Sequence, residues 1–288
     1  MRIGIVILPQ HRWSQAAGLW RRAEEYGFDH AWTYDHLAWR SLADEPWFAT
    51  VPTLAGAALV TSTIRLGTWV ASPNFRHPVP FAKELMTLDD MSEGRMLLGV
   101  GAGGLGVDAA VLGQPPLTPG ARVDRLDEFV SMLDELLTQP VTSRTGTYFG
   151  ADGARTIPGC VQQPRMPFLV AANAPRSMSV AVRRGDAWVT TGAEGQDTLD
   201  DWWGSVARLS ARFTDALAEA GRPASTPRYL NLDSQSYSLT SAERFWDQVG
   251  RAEDLGFTDV VVHWPRAEGI YAGDETVLEA VADRLRPS

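Results

Sequence analysis

The sequence predicts an α/β fold, one (β/α)8 TIM barrel over residues 1–288 with insertions after the fourth strand and before the fifth. Strand-like apolar runs alternate with helical patterns eight times, with no linker, low-complexity tract or short repeat between them. A length of 288 residues, 44% apolar and 21% charged, suits one large core.

The first run, Ile3–Leu8, is followed by a helical pattern at Ser14–Tyr26 that Gly27 ends as a C-terminal cap. His30–Thr33 pairs with Phe48–Val60 as the second unit. Arg65–Val70 leads into Pro80–Met91, whose apolar positions Phe81, Leu85, Met86, Leu88 and Met91 recur at near-helical spacing. Met96–Val100 is the fourth strand and Leu126–Leu137 its helix. Phe168–Ala171 with Ser177–Arg184, and Ala187–Thr190 with Leu199–Ala220, continue the alternation, Gly221 closing the latter helix. Tyr229–Leu232 precedes Ala242–Leu255, which Thr240-Ser241-Ala242-Glu243 opens as a capping box and Gly256 closes. Asp259–His263 and Glu275–Leu285 complete the set. Of two longer connections, Ala102–Arg125 leaves the carboxyl end of a strand and is placed to cover a ligand. Pro140–Pro167 carries Gly146-Thr147-Tyr148-Phe149 as a small hairpin, expected at the amino-terminal face for packing or subunit contact.

A net charge of −9 with no Lys/Arg run longer than two argues against nucleic acid and anionic membranes, leaving a small-molecule substrate. No apolar run approaches the ~20 residues of a membrane span, and Met1-Arg2-Ile3 enters a strand pattern directly, so a cytoplasmic protein is expected. The single cysteine, Cys160, excludes an internal disulfide and lies among Pro158, Gly159 and Gln162 without a nearby base.

Chemistry in a barrel belongs at the carboxyl ends of its strands. The third strand ends in Ala71-Ser72-Pro73-Asn74 and the fourth in Gly101-Ala102-Gly103-Gly104, small residues that let backbone lie against a ligand. Gly101 to Gly106 formally matches G-x-G-x-x-G, but it follows the fourth strand and opens a loop, which argues against a dinucleotide turn. His36, at the end of the second strand, is the sharpest acid–base candidate, with Asp35 adjacent to set its tautomer; the plainer reading is a strand terminated by loop hydrogen bonds. His263, ending the eighth strand, is a second candidate. No metal-ligand spacing and no nucleophile elbow occurs. Of eleven tryptophans, Trp39, Trp69, Trp188 and Trp264 fall at strand ends, where aromatic walls suit a planar ligand, while Trp20 and Trp246 read as helix packing. Asp89-Asp90 and Gly94-Arg95 sit at the amino-terminal face and carry no chemistry.

The segments Leu66 to Pro78 (L-G-T-x-V-x-x-P-x-x-R-H-P) and Leu88 to Gly103 (L-D-x-x-S-x-G-R-x-x-L-G-V-G-A-G) resemble the bacterial luciferase-like monooxygenase family. Val170 to Pro175, Arg184 to Trp188 and Asp35-His36 resemble it too, in order along most of the chain. The resemblance implies a barrel that binds reduced FMN or the deazaflavin coenzyme F420 at the strands' carboxyl ends. By position it implies a bulge with a non-prolyl cis peptide at Trp69-Val70 and ring-contacting backbone at Ala71 and Ser72. Gly101, Ala102, Gly103 and Gly104 then lie along the cofactor, Ala171, Ala172, Asn173 and Ala174 receive its phosphate with Thr190 beside them, and His36, with Asp35, faces the reactive centre. Trp39 and Trp264 are the implied substrate contacts, and a homodimer is the implied assembly.

The short connection from Asp233 to Ser241 resembles the deazaflavin branch, whose cofactor has carbon in place of flavin N5 and so transfers hydride instead of activating oxygen. Compared with the sugar-phosphate dehydrogenase of that branch, Gly104 replaces an acidic residue and Gly192-Ala193-Glu194-Gly195 lacks a lysine, which argues against a phosphorylated sugar. The expectation is hydride transfer from reduced F420 to an electron-poor C=C or C=N bond of a fairly apolar or planar substrate. The alternatives are a two-component monooxygenase using reduced FMN and oxygen, and a non-catalytic flavin-binding relative.

Overall fold

The computed structural model describes residues 1–104 and 107–286, and they form the expected closed parallel barrel. Around the ring its strands run β1 (Arg2–Val6), β10 (Asp259–His263), β9 (Arg228–Asn231), β8 (Ala187–Thr190), β7 (Phe168–Ala171), β4 (Met96–Val100), β3 (Arg65–Thr68) and β2 (His30–Thr33). The outer helices are α1 (Trp13–Glu25), α2 (Thr50–Val60), α3 (Pro78–Met91), α5 (Pro119–Thr138), α6 (Pro175–Arg184), α7 (Leu199–Glu219), α8 (Ala242–Asp254) and α9 (Glu275–Leu285). A short α4 (Val107–Val111) lies in the connection after β4. Leu105 and Gly106, the end of the glycine-rich motif, lie outside the described residues.

Local chemistry explains most boundaries. Gly27, Gly221 and Gly256 adopt φ of 86, 64 and 79°, the left-handed cap conformation. Ser241 alone caps α8, accepting from Arg244 N–H at 3.2 Å, so the cap lies one residue later than a box beginning at Thr240. The helix after β4 begins at Pro119 and not at Leu126, because Thr118 accepts from Ala121 N–H at 3.2 Å and Pro119 is preorganised for a first turn. Its polar opening turns carry too few apolar residues for periodicity to register.

Two apolar layers form the core: Ile3, Ile5, Leu66 and Leu98 face the helices, whereas Trp32, Leu97, Leu169, Val189, Tyr229 and Val261 fill the barrel interior. The interior rings fit because two opposing positions are glycine. A Cβ on Gly4 would lie 1.8 Å from His30 Nδ1, and one on Gly67 2.3 Å from the Trp32 ring.

The β1–β10 seam closes on Asp259, which is fully buried. It accepts from Arg2 Nε and Nη2, both at 2.7 Å, and from Thr258 Oγ1 at 2.6 Å. Trp32 Nε1 donates to His30 Nδ1 at 2.7 Å; since indole N–H can only donate, His30 carries its proton on Nε2 and gives it to Asp259 at 3.0 Å. Burial on its own would raise the Asp259 carboxyl, but the donors Arg2, His30 and Thr258 outweigh it and hold it down at about 2.

The hairpin of β5 (Val141–Thr145) and β6 (Gly150–Arg155) is present. Glu128 of α5 gathers its tip, accepting from the N–H groups of Thr147, Tyr148 and Phe149 at 2.9, 2.8 and 2.7 Å. This corrects its expected place: the tip climbs α5 until Phe149 meets His77 at the start of α3, ring centroids 5.4 Å apart, toward the carboxyl face.

Because the Asp259 carboxyl is lower in the fold than in the unfolded chain, its contribution is complete above about pH 4 and is lost as the pH falls toward 2, about 2 kcal/mol in all. Urea melts between pH 2 and 7 should show this acid limb. In Asp259→Asn the limb should flatten, with about 3–5 kcal/mol lost at pH 7 because Arg2 and His30 lose their charged partner.

Candidate active site

A cavity of about 710 Å³ opens at the carboxyl end of the barrel. That volume lies in the range of a cofactor or drug-sized ligand.

Its floor is backbone and small side chains. After β3 the Trp69–Val70 peptide is cis; Trp69 N–H donates to Thr33 O at 2.8 Å, and the chain rejoins β4 when Ala71 N–H donates to Gly99 O at 2.8 Å. Trp69, Val70 and Ser72 line the cavity with Gly101, Ala102, Gly103 and Gly104. Gly103 is a cradle that no other residue fits: its φ is +73°, and a Cβ would stand 2.2 Å from Asn74 Nδ2. Asn74 is itself held, its Oδ1 accepting from Arg125 Nη2.

Across the cavity lie Ala171, Ala172, Asn173, Ala174 and Thr190. The side chains of Asn173 and Thr190 satisfy each other, Thr190 Oγ1 donating to Asn173 Oδ1 at 2.6 Å while Asn173 Nδ2 donates to Gly192 O at 2.8 Å. What they offer a ligand is rigid backbone at the start of α6, where helix N–H groups favour an anion. Arg122, also on the wall, donates to Gly104 O.

His36 lies on the wall beside Trp39, ring centroids 4.6 Å apart. Its tautomer is set by Asp108 of α4, whose Oδ2 is 2.8 Å from His36 Nδ1 while Oδ1 accepts from Leu37 N–H at 2.7 Å. A carboxylate only accepts, so the ring proton is on Nδ1 and Nε2 is left as the basic atom. Trp39 Nε1 is buried on the same wall with no partner among the described residues.

Three expected contacts lie elsewhere. Asp35 is fully buried and accepts from Arg76 Nε and Nη2 at 3.1 and 2.6 Å, an ion pair that ties the second strand end to the segment leading into α3 and turns the carboxylate away from His36. Ala71 is fully buried, its N–H and C=O spent on Gly99 and Gly101. Trp264 stacks on Tyr26 with ring centroids 6.0 Å apart and donates to Glu275 at 3.1 Å, so it packs α1 against α9 and does not touch substrate space. Trp188 likewise faces the helices, 4.6 Å from Phe213. Cys160 is buried with its thiol pushed up to about 11 by that burial, as an inert core residue. Among the described residues no group of His, Cys, Asp and Glu could hold a metal, and no helix is long and apolar enough to cross a membrane.

Residues the sequence did not single out complete the cavity: Asp108, Asp233, Arg122 and Tyr271. Asp108, on the short helix α4, supplies the carboxylate beside His36. An acid in the first turn after a glycine-rich loop was the available signal, and only the docking of α4 against the second strand end connects it to His36.

The luciferase-like monooxygenase family matches residues 1–255. The F420-dependent glucose-6-phosphate dehydrogenase of Amycolatopsis mediterranei is 34% identical over 184 residues, 62% of this chain and 54% of that one, so the chain matches about half the length of that relative. The F420-dependent hydroxymycolic acid dehydrogenase of Mycobacterium tuberculosis is 32% identical over 95% of this chain and 72% of that one. In fold, the chain superposes on an F420-dependent secondary alcohol dehydrogenase in complex with an F420–acetone adduct, with a TM-score of 0.81, 18% identity, and 99% of each chain covered. With the barrel, the cis bulge after β3 and the glycine-rich end of β4 in place, the match along most of the sequence shows that the chain belongs to the luciferase-like monooxygenase family.

Proposed function

We propose that this chain is an F420-dependent oxidoreductase that exchanges hydride with an oxygen-bearing carbon of a small organic substrate. The observation that carries the reading is the His36–Asp108 pair, 2.8 Å apart, on the wall of a cavity whose floor is backbone. Taking hydride from a hydroxyl-bearing carbon requires a base for the hydroxyl proton, and His36 Nε2 is that base. An electron-poor C=C or C=N acceptor shares the hydride step, but the carbanion or amide anion it forms can be protonated from solvent. A base fixed by a carboxylate therefore favours the carbon–oxygen reading. Two relatives, the dehydrogenases of glucose-6-phosphate and of hydroxymycolic acid, support F420 dependence.

The residues fit such a cofactor. Ser72 and Gly101 to Gly104 would carry the ring against the Trp69–Val70 bulge, and the backbone from Ala172 to Ala174 with Arg122 would take its phosphate. When bound, a deazaflavin supplies hydride chemistry without oxygen activation. On the substrate side, Arg40 is already paired with Glu194 at 3.3 Å and Asp233 adds a second carboxylate, which disfavours a phosphorylated substrate. Ile270, Tyr271 and Trp39 favour an apolar one. The reading includes a homodimer, which size-exclusion chromatography with light scattering tests.

Titrating the protein with F420 and with FMN while following tryptophan fluorescence should give micromolar F420 binding and much weaker FMN binding, since Trp69 and Trp39 border the site. The reverse preference would point to a reduced-FMN monooxygenase, and binding of neither would remove the cofactor assignment. With F420 bound, secondary alcohols and ketones should turn over faster than activated alkenes or imines. In His36→Asn, kcat should fall about 10²-fold or more with F420 affinity within a few-fold of wild type.

A further inference from the structure

A second cluster of proton-carrying groups reaches the same cavity and is not used by the reading above. Asp233 accepts four hydrogen bonds: His263 N–H at 2.6 Å and His263 Nδ1 at 2.9 Å on Oδ2, and Ser238 N–H at 2.8 Å and Ser238 Oγ at 2.6 Å on Oδ1. The carboxylate is therefore saturated with donors, and His263 must carry a proton on Nδ1. Its other nitrogen, Nε2, lies 2.8 Å from the Tyr34 hydroxyl, which in turn lies 2.9 Å from the Tyr271 hydroxyl. His263 is fully buried and stacked on the Tyr271 ring, centroids 3.7 Å apart and planes within 7°. Tyr34, Tyr271 and Asp233 line the cavity, whereas His263 lies behind them.

The direction of this chain follows from the charge on His263. With the imidazole neutral, Nε2 accepts from Tyr34, Tyr34 accepts from Tyr271, and Tyr271 presents a lone pair to the cavity. With the imidazole protonated, Nε2–H donates to Tyr34, Tyr34 donates to Tyr271, and Tyr271 presents a proton. Both tyrosine hydroxyls are raised by burial, Tyr271 to about 12, so neither holds a stable negative charge. They pass a proton and do not store it; the store is His263 on Asp233. The groups facing the chain are Asp233 and Ser238 on one side, Tyr237, whose hydroxyl donates to His263 O at 3.0 Å, and Arg40 as the cation acting on both tyrosines.

We propose that Asp233, His263, Tyr34 and Tyr271 form a proton wire that gives the cavity a second acid–base end, with Tyr271 exchanging the proton and His263 storing it. The proposal rests on the hydride-exchange reading for its chemical use. When a hydroxyl-bearing carbon is oxidised, its C–H bond breaks and the hydrogen leaves with both electrons for the acceptor. Its O–H bond also breaks and releases a proton, and a hydride acceptor such as a deazaflavin would call for one proton in return. One group on the cavity wall receives the proton that the substrate hydroxyl sheds, and a second supplies the proton that the hydride acceptor calls for. His36 and Tyr271 would be those two groups, so turnover proceeds with no net release of protons, and reduction runs the same path backward.

The test that does not depend on turnover is nuclear magnetic resonance on protein labelled at histidine nitrogen and tyrosine Cζ. The neutral His263 ring should show the Nδ1–H tautomer, and protonating it should shift the Cζ resonances of Tyr34 and Tyr271 with the same midpoint. In Tyr34→Phe the Tyr271 response should vanish while His263 still titrates. An Nε2–H neutral tautomer, or a Tyr271 resonance indifferent to His263, would overturn the wire. In the holoenzyme, Tyr271→Phe should keep F420 affinity within about three-fold, lower kcat about ten-fold or more, and turn a curved solvent-isotope proton inventory linear. Unchanged kinetics in that variant would also overturn the proposal. Wild-type protein that turns over no alcohol or ketone, yet shows the coupled tyrosine shifts, would remove the hydride reading and leave the wire standing.

Discussion

Everything else in the barrel depends on the closure at Asp259. A parallel sheet becomes a barrel only when its first and last strands meet, and here the joint is a carboxylate shared by Arg2 of β1, His30 of β2 and Thr258 just before β10. Trp32 extends the joint upward through His30, so the interior layer above is set on it. Gly4 exists to let that imidazole in. The amino-terminal end is thus a saturated polar plug whose donors and acceptors are all consumed. The carboxyl end is built the opposite way, with groups along a cavity that keep unspent capacity: His36 Nε2, Trp39 Nε1 and the Tyr271 hydroxyl.

The division explains why two of the three histidine–carboxylate pairs in the barrel, those of His30 and His36, differ in surroundings. His30 is locked between Asp259 and Trp32 with both nitrogens occupied and no access to ligand. His36 has one nitrogen on Asp108 and the other on the cavity wall. Similar pairings differ in what the second nitrogen meets: for His30 it is the Trp32 indole, which ends the network inside the barrel, and for His36 it is the cavity.

Much of this was legible in the sequence. The eight strands and the glycine-capped helices follow from local chemistry, and the small residues at the ends of β3, β4 and β7 do lie along the cavity. What was not legible are pairings between distant elements. Asp35 adjoins His36 in sequence and was expected to orient it, but successive residues of an extended chain point opposite ways, so Asp35 turns outward to Arg76. The orienting carboxylate comes instead from Asp108, 72 positions along. Trp264 follows the last strand and was expected over the substrate, but the guanidinium of Arg22 and the carboxylate of Glu275 draw it between helices. The partners of His263 lie on three further connections that no pattern links.

The Asp108–His36 pair joins two separate parts of the architecture: the imidazole follows β2 of the barrel, and the carboxylate belongs to α4 in the connection after β4. That connection also supplies Arg122, Val123 and Pro119 to the wall. Rebuilding that one connection would therefore change the partner of the imidazole and the shape of the pocket wall in a single step.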